Sequence, residues 1–440
     1  MPHRFPALIA DPPMGTGRLW LTGAQVFDGM GDRVREDAAV LVDGGVIARI
    51  GDANEPCPEG ARPVDVHGRT VIPGLIEAHA HLVGRVPSVQ PGAEPELAGT
   101  AAHFVQAELR GYLRRGVTTI RFTGSSQSLA PQEARQAMRY GAFRGPRLLT
   151  CGKIISATAP GGRFYGQMYR EADGADDVRR AVREQIRAGA DFVKVMTTGA
   201  RSNELEDPEP VQLTEAELAA AADETHRLGY RLCAHAEGLA GCEAAIRHGA
   251  DTIEHGMYLH QRPDMLDAMA AAGTVLVPTL SGYYEMAGLA DVIDPAKAKP
   301  QPEMPPMLAS LARHNLDQGA ATLRAARRAG VAIAAGGDVV HGTGLEICRM
   351  IHHGLTAAEA LVAATATAAR ALGLDEQVGT LDPGKLADLL ITNGDPFREP
   401  EILTDPARIW LVLQLGVPVA GQALEATPGA PADRHAGRRD

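Results

Sequence analysis

The stretch VIPGLIEAHAHL, Val71 to Leu82, decides how the rest of the chain is read. It is an apolar run that ends in two histidines, His79 and His81, spaced two apart. Alternate side chains of a strand share a face, so both imidazoles project the same way. The same texture returns seven times downstream. It appears as VTTIRF from Val117, RLLTCG from Arg147, DFVKVMTT from Asp191, YRLCAHAE from Tyr230, DTIEHG from Asp251, TVLVPTL from Thr274 and VAIAAGGD from Val331. Alanine-rich stretches at helical spacing separate the runs, such as Thr214–Leu228, which opens on a capping threonine. Gly189, Gly229, Gly249, Gly273 and Gly330 each stand just past such a stretch, where a helix ends in the left-handed conformation that glycine accepts. Eight βα units with right-handed crossovers predict an α/β fold, a (β/α)8 TIM barrel over residues 71–375.

Outside this zone the pattern changes. RLWLTGAQVFDG, AAVLVDGGVIARIGD and ARPVDVHGRTVIPG precede it; VGTLDPGKLADLLITNGDP and RIWLVLQLGVPVAGQAL follow it. Apolar residues alternate there between Asp-Gly and Gly-Gly turns, as in hairpins. Neither set alone has enough strands to bury a face, so 18–70 and 376–425 are expected to pair into one small β-sandwich. Residues 1–17 read as an N-terminal extension. Residues 426–440, rich in Pro, Gly, Ala and charge, read as a disordered tail.

Composition narrows the function classes. The 440 residues carry 54 acidic and 43 basic side chains, a net charge of −11. That argues against a nucleic-acid or anionic-membrane partner, since both need a cationic surface. An apolar content of 45% supplies a large core. Cys57, Cys151, Cys233, Cys242 and Cys348 include no C-x-x-C pair, which is poor material for a disulfide framework. No apolar run reaches the roughly 18 residues that span a bilayer. The first 20 residues, broken by Pro6, Pro12 and Pro13, lack the apolar stretch of a secretory signal. A cytoplasmic enzyme is the expectation.

In such a barrel the chemistry sits at the C-terminal ends of the strands. Those ends carry His79, His81, Lys194, His235, His255 and Asp338. Each alone has an ordinary reading. A strand histidine is usually packed or hydrogen-bonded, a strand-end lysine snorkels, and Asp338 after Gly336-Gly337 would cap a helix. Those readings would have to hold at five strand ends at once. Together, four imidazoles and a carboxylate are nitrogen and oxygen donors suited to Zn²⁺ or a similar ion. Lys194 is the informative member, because an ammonium cannot ligate a cation. As a neutral amine, which burial favours, it can take up CO₂ and become a carbamate whose two oxygens bridge two metals. The set predicts two divalent ions, one on His79, His81 and Asp338 and the other on His235 and His255.

TVIPGLIEAHAHL (Thr70–Leu82), LRRGVTTIR (Leu113–Arg121), GPRLLTCGKIISAT (Gly145–Thr158), GADFVKVMTTG (Gly189–Gly199), AHAEG (Ala234–Gly238), DTIEHG (Asp251–Gly256), AAGGD (Ala334–Asp338) and VGTLDPGKLADLLI (Val378–Ile391) carry a resemblance. With them the chain resembles the amidohydrolase superfamily, and within it metal-dependent hydrolases similar to the prolidase-like (Xaa-Pro type) dipeptidases and ochratoxinase. The resemblance implies the split sandwich, the barrel, a carboxylated lysine between two zinc ions, hydrolysis of a small-molecule amide and a homo-oligomer. Four positions depart from the pattern. Glu77 stands where aspartate is usual, Phe122 where many relatives have aspartate, and Gly337 where threonine is common. Ala159–Arg163 replaces a loop that often carries Gly-Gly-His.

In the expected mechanism the two metals lower the pKa of a bridging water. Asp338 takes its proton and passes it to the leaving amine, and His255 in a second role helps to hold the oxyanion. Substrate contacts are expected from Arg163, Tyr165, Tyr169 and Arg170 after the third strand, Arg201 after the fourth, Tyr283 and Tyr284 after the seventh, and His341 after the eighth; each reads equally well as a solvated loop residue. Carbamate, lactone or organophosphate ester hydrolysis would use the same centre. A mononuclear deaminase of the superfamily lacks the strand-four lysine and has glutamate three residues after the fifth-strand histidine, where Gly238 stands here. A non-catalytic relative would have lost ligands, and all six are present.

Overall fold

A computed structural model describes residues 14–82, 98–125, 130–201, 206–295 and 306–425. The opening stretch, expected as one barrel strand, is two. Thr70–Pro73 pairs antiparallel with Leu389–Thr392 in the terminal sheet, whereas Leu75–Leu82 runs parallel to Val117–Ser125 in the barrel. Gly74 is the break between them. A Cβ there would stand 2.4 Å from Thr118 Oγ1, so only glycine lets the chain pass that close while it changes sheets.

The barrel strands are Leu75–Leu82, Val117–Ser125, Arg147–Thr150, Val193–Met196, Leu232–Ala236, Thr252–His255, Val275–Val277 and Ala332–Ile333. The third is broken at Cys151–Lys153. Arg147–Thr150 pairs with the second strand, and its continuation Ile154–Ser156 pairs with the fourth. Two backbone hydrogen bonds join the last strand region to the first, Ala78 N to Ala335 O at 3.0 Å and Asp338 N to His79 O at 2.9 Å. Residue alternation sorts the side chains. Phe192, Met196, Cys233, Val275 and Val277 form an inner cluster, while Val193, Val195, Leu232, Ala234 and Leu276 belong to the outer one with the helices. Gly189, Gly229, Gly249, Gly273 and Gly330 all adopt φ between +73° and +91°. Thr214 caps its helix in a reciprocal box with Glu217.

The two chain ends pair in one continuous eight-stranded sheet, in the order Val417–Ala420, Ile409–Gln414, Leu389–Thr392, Thr70–Pro73, Arg18–Phe27, Val34–Asp43, Val46–Asp52, with Arg62–Asp65 beside Arg18–Phe27. Leu389, Ile391, Leu411 and Leu413 share a core with Leu19, Leu21, Val40 and Val42. The alternate residues Leu390 and Val412 belong to the barrel's outer cluster. The expected tail at 426–440 and residues 1–13 of the expected extension lie outside the described residues. Among those described, no helix is long and apolar enough to cross a membrane.

Asp388 ties sheet to barrel. Its Oδ2 lies 3.0 Å from Arg147 Nη1 on the third barrel strand, its Oδ1 accepts from Leu415 N, and its carbonyl accepts from Gly74 N. Both side chains are nearly dry, at 5% and 2% exposure. Removing one partner of a buried pair strands the other charge, at a cost of about 3–5 kcal/mol. Asp388→Ala is therefore expected to lose about that much stability in urea unfolding followed by circular dichroism.

Candidate metal centre

Strand geometry delivers the donors to one mouth, and in two places the backbone departs from regular alternation to do so. On the first strand the pairing register shifts between Glu77 and Ala80, and Ala78 belongs to the inner cluster while Ala80 faces the helices. His79 and His81 thereby both turn inward, their ring centroids 5.3 Å apart. On the sixth strand Glu254 faces inward and Ile253 outward, so plain alternation would send His255 to the helices. A left-handed φ of +70° at His255 returns its ring to the mouth, 5.2 Å from His79 and 4.5 Å from His235. Asp338 likewise has φ +56°. Non-glycine residues in this region are strained, and such strain concentrates at functional sites.

Hydrogen bonds fix which ring nitrogen is free. His79 Nδ1 lies 2.5 Å from Glu254 Oε2, and its Nε2, although buried, has no hydrogen-bond partner among the described residues. That nitrogen stands 3.6 Å from Asp338 Oδ1, and His81 Nε2 stands 3.3 Å from the same oxygen. His81 Nδ1 donates to Gly124 O at 3.2 Å. Two ring nitrogens whose Nδ1 partners lie behind them thus face one carboxyl oxygen, an arrangement that fits a divalent cation. A second group, His235, Glu237 and His255, has donor atoms within 4.8 Å of one another. His255 Nδ1 is 2.7 Å from Thr279 Oγ1, which leaves its Nε2 free. His235 Nε2 donates to Gly199 O at 3.1 Å, which leaves its Nδ1 free. Lys194 occupies the inner face of the fourth strand between Phe192 and Met196 and is 1% exposed.

The electrostatics keep the imidazoles neutral. Burial, and then the Lys194 ammonium, holds His81 down to about 4 and His235 down to about 3. His79 and His255 also lie well below the usual imidazole value, burial again leading. Burial lifts the Asp338 carboxyl to about 7, with Lys194 opposing the rise. Neutral imidazoles are the protonation state that binds metal.

A model of the amidohydrolase family matches residues 70–419. The chain belongs to the amidohydrolase family. It is an enzyme, a hydrolase of that family. It is similar to the ochratoxinase of Aspergillus niger, 28% identical over 92% of this chain and 87% of that protein. It is also similar to the imidazolonepropionase of Paracoccus denitrificans, 28% identical over 84% of this chain and 90% of that protein. Among solved structures, a Xaa-Pro dipeptidase with methionine in its active site superposes with a TM-score of 0.81, at 25% identity, covering 92% of this chain and all of that one. A prolidase complexed with N-methylphosphonate-L-proline gives 0.79 at 29% identity over the same shares.

Around this amidohydrolase mouth the expected substrate contacts divide. Tyr283 lies in it, 2% exposed, its ring 6.3 Å from His255. Tyr165 and Tyr169 stack on each other at 5.0 Å, and Tyr169 joins the inner cluster beside Met196 and Ala200. Arg163 is exposed on a short helix, Pro160–Tyr165, that replaces an expected loop. Glu206 clamps that helix to the loop after the fourth strand, accepting from Gly161 N, Ala200 N and Gln212 Nε2. Four expected contacts are committed to partners within the chain. Arg170 pairs with Asp177 and Glu184. The Tyr284 hydroxyl bonds Ile293 O and His353, because the residue after an inward one on a helix points away. His341 Nε2 bonds Glu108 O, its ring against Tyr112. Arg201 is held by Glu209 and Glu237.

Two of the four departures have a structural meaning. Phe122 faces the helices in the outer cluster and does not line the mouth. Glu77 is a clamp that accepts from His79 N, Gly337 N and Thr343 Oγ1, holding the first strand to the turn that carries Asp338.

Sequence reasoning missed Glu254 and Arg121. Arg121 Nη2 pairs with Glu254 Oε1 at 2.8 Å while the other carboxylate oxygen holds His79. Burial would raise the Glu254 carboxyl, but Arg121 and His79 outweigh it and keep it well below the usual range. The available signal was parity, since Arg121 shares the inner face of its strand with Thr119 and Thr123. Residues that orient a metal-binding histidine typically contribute 10–100-fold to metal affinity. Glu254→Gln is expected to weaken zinc binding by about that factor in chelator competition, with the fold intact by circular dichroism.

Proposed function

We propose that this chain hydrolyses an amide bond, peptide-like or of an N-acyl amino acid, at a binuclear divalent-metal centre. The observation that carries the reading is the unpartnered, buried His79 Nε2 facing Asp338 and His81, beside a second imidazole pair and a dry lysine. Among similar proteins are a Xaa-Pro dipeptidase and a prolidase, peptidases by name, which supports an amide substrate.

His79, His81 and Asp338 would hold one ion and His235 and His255 the other, with Lys194 as its carbamate between them. Zinc, when bound, supplies Lewis acidity and acidifies water near neutral pH. The chain's own residues do the rest. Glu254 and Gly124 O keep the His79 and His81 rings in the tautomer whose Nε2 lone pairs face the site. Asp338, 24% exposed and so open to the mouth, receives the proton of the attacking water and delivers it to the leaving amine. Thr279 holds His255 in place to face the reacting carbonyl. Aromatic walls at Tyr165, Tyr169 and Tyr283 receive the acyl or amine part. The same reading makes the protein a cytoplasmic homo-oligomer without nucleic-acid or membrane partners. All five cysteines being unpaired and the −11 charge support the cytoplasm and the missing polyanion partners.

The test is a panel on zinc-loaded protein with a chelated control: dipeptides ending in Pro, Arg or Lys, N-acyl amino acids, aryl amides, carbamates, lactones and phosphotriesters. Amide cleavage that chelation abolishes supports the reading; cleavage of lactones or phosphotriesters alone overturns it. Asp338→Asn is expected to retain bound metal, read by elemental analysis, while kcat falls by about two to four orders of magnitude. Near-normal turnover would remove Asp338 from the proton role.

A further inference from the structure

The segment that leaves the seventh strand is built around the site more closely than its sequence suggests. Thr279, at φ +49°, bonds His255. A Cβ at Gly282 would stand 3.2 Å from Asp338 Oδ2, so the short helix Leu280–Met286 lies directly against that carboxylate. Tyr283, next along, is 2% exposed, and its hydroxyl has no hydrogen-bond partner among the described residues. A buried hydroxyl without a partner costs roughly 1–3 kcal/mol, so Tyr283 calls for a partner that the described residues do not supply. Tyr284, its neighbour, has both its polar needs met.

The helix is pinned from behind. Glu346, fully buried on the helix Thr343–His352, accepts from Leu280 N at 2.9 Å, Ser281 N at 2.7 Å and Ser281 Oγ at 2.6 Å. One carboxylate thereby satisfies the first free amides of the helix and complements its dipole. Glu346 stands eight residues after Asp338, so the same stretch of chain that supplies the carboxylate also sets the tyrosine against it.

We propose that Tyr283 donates a hydrogen bond to the substrate's carbonyl oxygen as it becomes an oxyanion, and that Glu346 is the positioning residue that sets its helix. The proposal rests on the amide-hydrolase reading above. The phenol keeps its proton throughout, so no bond is made or broken at Tyr283. A tyrosine phenol, whose ordinary pKa is about 10, keeps its proton at neutral pH and so stays in the donor form. A fixed donor aimed at developing charge in a dry pocket favours the transition state over the ground state.

The experiment compares wild type, Tyr283→Phe, Glu346→Gln and the double variant on the best amide of the panel, recording kcat, KM, bound zinc and thermal midpoint. Tyr283→Phe should lower kcat about 10²–10³-fold, with KM and zinc content unchanged. Its thermal midpoint should stay level or rise, because no partner is left unpaired, whereas a structural tyrosine would lower it. Glu346→Gln should lower kcat in the wild-type background and hardly at all when Tyr283→Phe is already in place. Wild-type kcat in Tyr283→Phe overturns the donor role, and equal losses from Glu346→Gln in both backgrounds overturn the positioning role. If Glu346→Gln fails to fold, Ser281→Ala, which removes one of the same three bonds, takes its place in the cycle with the same expected pattern. Wild-type protein inactive on every amide would instead sink the underlying reading.

Discussion

Inside the barrel a guanidinium and a carboxylate sit 2.8 Å apart, Arg121 at 3% exposure and Glu254 at none, and the candidate centre is arranged around them. Withdrawing two charges from water costs several kcal/mol per ion, repaid only when geometry and further hydrogen bonds are good. They are good here. Arg121 also donates to Ala78 O and Thr252 Oγ1, and Glu254 also accepts from Cys233 Sγ and Thr252 Oγ1. The second carboxylate oxygen is then free to fix His79. A charge pair that would be an expensive way to stabilise a core instead sets one imidazole's orientation from beneath.

The barrel was legible because its rhythm of strands and alanine-rich helices is regular, and glycines at five helix ends took the left-handed conformation their spacing demands. His79, His81, Lys194, His235, His255 and Asp338 were legible as a set because strand ends in such a fold converge. What the pattern could not give was parity near those ends. A strand that shifts register at Glu77–Ala80, or turns left-handed at His255, no longer obeys a period of two. The same limit explains Gly74, where one continuous apolar run serves two sheets. Loop residues fared worst. Arg170, Tyr284 and His341 look like substrate contacts by position and are spent on local ion pairs and hydrogen bonds that no spacing rule predicts.

The groups that brace the candidate donors from behind are largely acidic side chains. Glu77, Glu254 and Glu346 are all dry, and each accepts from groups on a different element: Glu77 binds the turn before Asp338, Glu254 binds the first strand, and Glu346 binds the helix after the seventh. Each converts backbone or ring donors that would otherwise be unpaired into a fixed geometry. The neutral imidazoles above them share one mouth with Asp338.

Glu206 has a different import. Because one side chain grips both the short helix at Pro160–Tyr165 and the loop beginning at Ala200, the rims contributed by two successive βα units are mechanically one piece. Swapping either rim for that of a relative, in nature or by design, would strand an acid in a crevice built for amides. Selectivity in this protein should therefore drift by paired replacement of both rims, not by the loop-at-a-time exchange that a barrel scaffold ordinarily tolerates.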